Sequence, residues 1–427
     1  MKRGRWRAKL GGWAAAAALA APLSVQPVAA ADTPAPAVDR EWTKLLTDLE
    51  AAGRRVDGAV PPGFTDQDQA ENTLVKLGTL MSGYLTVANS DPDYPRFVPS
   101  LGLYENFLGP NPDTVYMATA LNGKGVYRIK GTRGGAPIVN FGLLHGPYLG
   151  LTGKAVPHTD YDIDDLHFGP GGAFEVILSA ERPAGYAGDW WKLDPATTRM
   201  TLRVVSDDWG KQEDPRFSIQ RLDIPSRRSR PSAEDIRGRL PLLADYVFWT
   251  NTLFSRRLSG FVEKGQVNKV VEIPIVELGG LTGQRYFHTP LMIEDGEAVV
   301  LESEVPKTCK YWSILTTDFV DSSLDWVNNQ TSLNRNQARL DSDGKLRVVF
   351  ANADPGVPNW IDLAGRKRAG MQLRWASCDS APVPTVRKVS LSEVRKYLPK
   401  DTPIMSPSQR EESLRARRDG AQLRRQW

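Results

Sequence analysis

The residues best suited to chemistry lie close together in the first half of the chain. His158-Thr159-Asp160-Tyr161-Asp162-Ile163-Asp164-Asp165-Leu166-His167 sets four acids between two histidines. In an extended strand alternate side chains share a face, so Asp160, Asp162 and Asp164 would line one side. Three such carboxylates repel one another unless a base or a hard cation neutralises them. Calcium prefers oxygen ligands of this kind. The run begins like a helix–loop–helix calcium site. The glycine expected after the third acid is Asp165, however, and no bidentate Glu follows at the required distance. That form is excluded. Two readings remain: an irregular β-loop site for calcium at Asp160, Asp162 and Asp164, and a solvated acidic loop, which is the plainer. His158 and His167 flank the acids at no standard zinc spacing.

His145 ends the apolar run Leu143-Leu144 before Gly146-Pro147. An imidazole there, with Asp162 from the acidic loop, is a candidate acid/base pair. The bland reading is a strand-end histidine held by one hydrogen bond. A further constellation is Asn111-Pro112-Asp113-Thr114-Val115-Tyr116. Proline pushes Asn111 toward extended geometry, and Asp113 can accept from following amides to start a turn. This is either a structural turn or a corner that points Asn111, Asp113 and Tyr116 at a ligand. Trp190 and Trp360 each follow a turn and, with His158, complete the candidate ligand-binding set. There is no Gly-x-Ser-x-Gly elbow and no phosphate-binding glycine loop. Glycoside hydrolysis needs only two carboxylates, which composition cannot select.

These residues need elements to hold them. From about Tyr116 onward, short runs rich in Val, Ile, Thr and aromatics alternate with Gly, Pro and Asp clusters, the pattern of β domains. The runs repeat. Gly172–Leu178 resembles Gly344–Phe350 at an offset of 172, Asp189–Leu193 resembles Asn359–Leu363 at 170, and Leu202–Val204 resembles Leu373–Trp375 at 171. Val139–Leu143 aligns with Tyr311–Leu315 at 172. Each copy therefore reads as a β-sandwich. Leu74, Leu77, Leu80, Met81 and Leu85 fall at helical spacing, as do Trp42, Leu45, Leu46 and Leu49. Ser232 can cap another helix, which Pro241 kinks or restarts.

The expected fold is mainly β: two tandem jelly-roll-like sandwiches, a small helical N-terminal region, and a helical insert between the sandwiches. The boundaries are a signal peptide at 1–31, a linker and helices at 32–100, and sandwiches at 101–230 and 266–390. The insert is 231–265, and an extension with a basic tail covers 391–427.

Residues 1–31 carry five bases and no acid, then an apolar stretch and Val28-Ala29-Ala30-Ala31. This is the build of an export signal, placing the protein in the periplasm or outside the cell. Its removal takes the formal charge from +4 to −1. In that compartment Cys309 and Cys378 are a candidate disulfide, two unpaired buried thiols being the alternative. The tail from Ser408 has six arginines against three acids. It is expected to be a solvated, frayed end, with peripheral membrane contact as its most ambitious role. No basic stripe supports nucleic-acid binding.

The Asn111-Pro112-Asp113-Thr114-Val115-Tyr116 motif, together with Gly188-Asp189-Trp190-Trp191, Arg203 and Asp208-Trp209, resembles a bacterial family called domain of unknown function 1214 and its frequent companion 1254. Gly344, Asn359-Trp360 and Leu373-Arg374 resemble the C-terminal domain of that family. The resemblance covers most of residues 100–390. It implies an exported or cell-envelope protein with jelly-roll-like domains, and it carries no reaction with it. One departure is Asp189, where Asn is usual. A carboxylate only accepts, so an amide donor role there is lost. The leading functional expectation is recognition of a polar or carbohydrate-like small molecule or glycan in the cell envelope, with no required cofactor. The alternatives are an extracytoplasmic glycan hydrolase or lyase and a structural envelope assembly protein. Whether the chain is an enzyme, and its oligomeric state, are left open.

Overall fold

Two runs of nine strands fold in the same way. In the computed structural model, which describes residues 37–147, 152, 157–253, 255–274 and 280–424, the first run comprises β1 (Val98–Leu101), β2 (Thr114–Ala120), β3 (Tyr127–Thr132), β4 (Ile138–His145), β5 (His158–Asp162), β6 (Ala173–Ser179), β7 (Asp189–Lys192), β8 (Thr197–Val205) and β9 (Arg216–Arg221). The second comprises β10 (Val271–Ile273), β11 (Gln284–Met292), β12 (Glu297–Ser303), β13 (Cys309–Thr317), β14 (Ser332–Asn334), β15 (Leu346–Ala351), β16 (Trp360–Asp362), β17 (Arg368–Cys378) and β18 (Thr385–Ser390). The first run forms sheets β1-β2-β8-β4-β5 and β7-β6-β3-β9, and the second forms β10-β11-β17-β13-β14 and β16-β15-β12-β18. Every strand of one sandwich has its counterpart at the same place in the other, down to the parallel pairs β6–β7 and β15–β16.

Alternation explains the layers. Val139, Phe141, Met200, Leu202 and Val204 point inward to meet Ile129, Val176 and Leu178 of the opposing sheet. Ile314, Leu373 and Trp375 meet Leu301, Val348 and Phe350 in the second copy. The repeat holds at three of its four matches. At β4 the alignment is one residue off: Asn140 pairs with Arg203, and Ser313 pairs with Arg374. Asn140 therefore corresponds to Ser313. A slip of one would send Phe141 to the wrong face.

The other faces of the β2-β8-β4 and β11-β17-β13 layers turn toward each other. Ile138 and Val205 of the first sandwich join Leu281, Tyr311 and Ala376 of the second in a shared apolar cluster. Helices α1 (Ala37–Ala59) and α2 (Asp66–Gly83) pack on the insert, α3 (Ala233–Arg239), α4 (Pro241–Thr252) and α5 (Arg257–Glu263), so the N-terminal helices and the insert make one helical unit. The cap of α2 is Thr65, boxed with Asp68. Its inward side is mostly small and polar, with Asn72, Gly78, Thr79 and Ser82 buried beside Val75, while Leu74 and Leu77 are exposed. A Cβ at Gly78 would lie 2.3 Å from the Tyr104 carbonyl, so close approach to that loop selects the small face.

The tail is not frayed. Helix α6 (Pro407–Leu423) starts at a Ser406 capping box. Arg410 is buried, donates to Gln330 and the Val357 carbonyl, pairs with Asp354, and lies 5.0 Å over Trp360. Arginines read from sequence as a solvated charge run are the pegs that dock the helix.

Cys309 and Cys378 are directly opposite on β13 and β17 and form a disulfide across 69 residues. In the chain-entropy model a loop of that length stabilises by about 4 kcal/mol. Replacing both cysteines by serine is expected to lower the urea-unfolding free energy by about 2–4 kcal/mol.

Candidate functional site

The Asn-Pro-Asp-Thr motif turns between the sandwiches rather than outward. Asp113 is fully buried. Its Oδ1 accepts from Trp209 Nε1 at 2.7 Å and from Asn334 Nδ2 at 2.8 Å, and its Oδ2 accepts from the Tyr311 hydroxyl at 2.5 Å. Asn111 Nδ2 donates to the same hydroxyl at 2.8 Å. Arg424 donates to the carbonyl of Pro112 and, at 2.8 Å, to that of Asp113. Arg417 and Arg424 both lie over the Trp209 ring, at 4.7 and 5.5 Å. The first sandwich, the second sandwich and α6 thus meet at one carboxylate. Burial raises the pKa of Asp113, and Tyr311 and Arg424 oppose that rise. Burial and Asp113 hold the Tyr311 phenol well above its ordinary value, so it remains the proton donor.

Beside this hub opens a cleft of about 460 Å³. Its walls come from β1 and the loop after it (Leu101, Tyr104, Glu105), from Tyr116, from Trp326 and Asn328 of the second sandwich, and from Arg418 and Gln422 of α6. Volume and mixed lining are those of a small-molecule site. Tyr116 accepts from the Asn111 amide at 3.1 Å, so the motif aims its ring at the cleft. Glu105 is buried, has no salt-bridge partner among the described residues, and is raised in pKa by burial. Neither Glu105 nor Tyr104 was singled out from sequence. Their only signal was proximity to the motif.

The other candidate residues are placed apart. His145 lies opposite Pro157, whereas Asp162 lies opposite Asn140 on the same ladder. Five positions at about 3.3 Å each separate them by roughly 16 Å, so they are not an acid/base pair. His145 Nε2 instead meets Thr159 Oγ1 at 3.4 Å. The three acids are shared among bases rather than gathered. Asp160 accepts from the Thr282 amide at 2.8 Å, Asp162 and Asp164 share Lys310 at 3.3 Å, and Asp164 also takes Arg133 at 2.6 Å. Despite partial burial, these contacts keep Asp164 below its ordinary pKa. No group of three metal-ligating side chains occurs among the described residues. Thr282 and Lys310 belong to the second sandwich, so the acidic strand fastens the two copies together. His158 Nε2 stands 3.7 Å from Asp160. Trp190 donates to Ser179 Oγ at 3.0 Å and Trp360 to the Ala351 carbonyl at 2.9 Å. These positions correspond in the two copies and anchor strands; Trp360 is buried.

The departure at Asp189 has a local partner. Asp189 accepts from the His167 amide at 2.8 Å and sits 2.7 Å from its ring nitrogen. At the matching place Asn359 accepts from the Arg339 amide at 2.8 Å and donates to the Arg339 carbonyl. The histidine ring supplies the donor that the amide lost.

One partly buried acid titrates in the physiological range. Asp318, in the loop after β13, accepts from the amides of Val320 and Ser322 at 3.0 and 2.8 Å. Burial nevertheless pushes its pKa up from 3.8 to about 7. A raised carboxyl contributes stability that is fully present below the unfolded value and lost as pH rises through the folded one. Unfolding free energy should therefore fall between pH 4 and 7 by up to a few kcal/mol on this account. Asp318→Asn should flatten that slope relative to wild type in urea titrations at pH 5 and pH 8.

Together these features define a tandem β-sandwich protein with a small-molecule-sized cleft at the seam of its two copies. Residues 296–378, within the second sandwich, match the family described as protein of unknown function (DUF1214). The crystal structure of an uncharacterised protein from Burkholderia cenocepacia is similar over 83% of this chain and 98% of its own, with a TM-score of 0.77 and 24% identity. The VPA0106 protein of Vibrio parahaemolyticus aligns over 74% of this chain and 96% of its own, with a TM-score of 0.41 and 12% identity. A search of the curated proteins returns no match. No helix among the described residues is long and apolar enough to cross a membrane.

Proposed function

We propose that the protein is an exported binding protein whose seam cleft recognises a neutral, polyhydroxylated small molecule of carbohydrate type. The observation that carries this reading is Glu105: a buried carboxylate with no salt-bridge partner among the described residues, lining a cleft walled by Tyr104, Tyr116 and Trp326. Such an acid gains most from ligand hydroxyl donors, and aromatic rings offer flat apolar surface beside it. Binding is favoured over glycan hydrolysis by the lining itself. Hydrolysis calls for two carboxyl groups about 5–9.5 Å apart, and Glu105 is the one acid among the residues lining this cleft. The basic, apolar and small-residue order of residues 1–31 supports export to the periplasm or beyond, as does the disulfide.

Calorimetric titration with a panel of mono- and disaccharides tests the proposal. At least one sugar should bind saturably, and Glu105→Ala should weaken it about tenfold or more, the effect of an unsatisfied hydrogen-bonded acid. A panel without any binder, or a binder indifferent to both Glu105→Ala and Tyr104→Ala, would overturn it.

A further inference from the structure

The facing sheets of the two sandwiches bury a polar layer behind the seam cleft. Side chains there alternate with the core. Val115 and Met117 pack inward, so Tyr116 points to the other face; Leu202 and Val204 do the same for Arg203. In the second copy Tyr286 and Arg374 occupy the matching places, paired across β11 and β17 as Tyr116 and Arg203 are across β2 and β8. Tyr286 lies within electrostatic reach of Arg374, Arg203 and Tyr116 together.

Arg374 is 4% exposed. Its Nη2 donates to the Gly109 carbonyl at 2.8 Å and its guanidinium lies 5.8 Å from the Tyr286 ring, which fixes its plane. Its Nη1 is buried with no hydrogen-bond acceptor, and no carboxylate forms a salt bridge with it among the described residues. The acid that acts on it, Asp321, is ion-paired with Arg257. Arg203 is occupied by Asn140 at 3.2 Å and by Asp160 at 3.9 Å. His288, buried on the same face, is held well below its ordinary pKa by burial, Arg257 and Arg374, so it stays neutral and adds no second positive charge. A buried guanidinium with a free donor and no carboxylate bonded to it is costly unless an anion meets it. The surrounding hydroxyls can add donors. Tyr116 already accepts from Asn111, which leaves its proton to give. Burial raises the pKa of Tyr286, keeping its proton on. The supporting loops hold Leu108, Gly109 and Asp321 at φ of 60°, 58° and 68°, a left-handed conformation at three places around this guanidinium.

We infer that this inter-sheet layer is a second binding site, for a small carboxylate, with Arg374 as its charged anchor and the hydroxyls of Tyr286 and Tyr116 as donors. A guanidinium matches a carboxylate in shape as well as charge. Tyr116 also lines the seam cleft.

Thermal unfolding in sodium acetate against sodium chloride at equal ionic strength tests the assignment. Acetate should raise the melting temperature saturably, and Arg374→Met should abolish the difference between the salts. Should that variant not fold, Tyr286→Phe keeps ring and charge and should weaken the acetate response by about 5–10-fold, the loss of one hydrogen bond. Equal effects of the two salts on the wild type, or an acetate response unchanged in the folded variants, would overturn the inference.

Discussion

Asp113→Ala should unlatch the two sandwiches. It removes the acceptor of Tyr311, Trp209 and Asn334 at once. It also takes away an opposing charge from Arg424. Breaking a buried charged network by deleting one member typically costs about 3–5 kcal/mol, because the partners stay buried without acceptors. Asp113→Asn keeps one acceptor and should cost less, since Oδ1 can still serve Trp209. The site of the damage also matters. Trp209 belongs to the first copy and Tyr311 and Asn334 to the second, so the loss falls on coupling rather than on either core. Urea unfolding of the alanine variant should separate into two transitions where the wild type shows one. The later transition should belong to the disulfide-linked second sandwich.

A chain ending at Met405 should be destabilised to a similar or greater extent. Helix α6 contributes the Arg410–Asp354 pair, the Arg417 contact to the Trp326 carbonyl, and the Arg424 bonds to Pro112 and Asp113. Charged hydrogen bonds are worth about 1.5–3 kcal/mol each when buried, and cation–π contacts to Trp209 and Trp360 add to them. A loss on the order of 5 kcal/mol follows for the truncated chain. The helix also provides Arg418 and Gln422 to the cleft, so any cleft ligand should lose affinity even where the remainder stays folded. Gly420 explains the closeness of the packing: a Cβ there would stand 3.1 Å from Trp209. Gly420→Val should therefore push the helix off without touching an arginine.

The repeat was legible because a sandwich strand must alternate, and Val176-Ile177-Leu178 and Val348-Val349-Phe350 alternate in the same phase. The pairing of Arg203 with Arg374 was legible for the same reason. What the two arginines face was not, since that depends on how one copy stacks on the other. The same holds for the Asn-Pro-Asp-Thr motif. Its turn follows from Pro112 and Asp113, but Tyr311 and Asn334 lie about 200 residues away. The acidic strand invited a cation on spacing alone; the bases that neutralise it are Arg133 and, from the other copy, Lys310. Helix α2 misled for a different reason. Helical periodicity marks an apolar stripe, and here the packed side is chosen by glycines and small polar residues that admit close neighbours.

On the proposed function a ligand binds at the seam between the copies and not along the acidic strand. A crystal structure with the best-binding sugar tests it directly. The sugar should lie in the cleft, hydrogen-bonded to Glu105 and against Tyr104 or Tyr116. A sugar bound instead along residues 158–167, with the seam cleft empty, would contradict it.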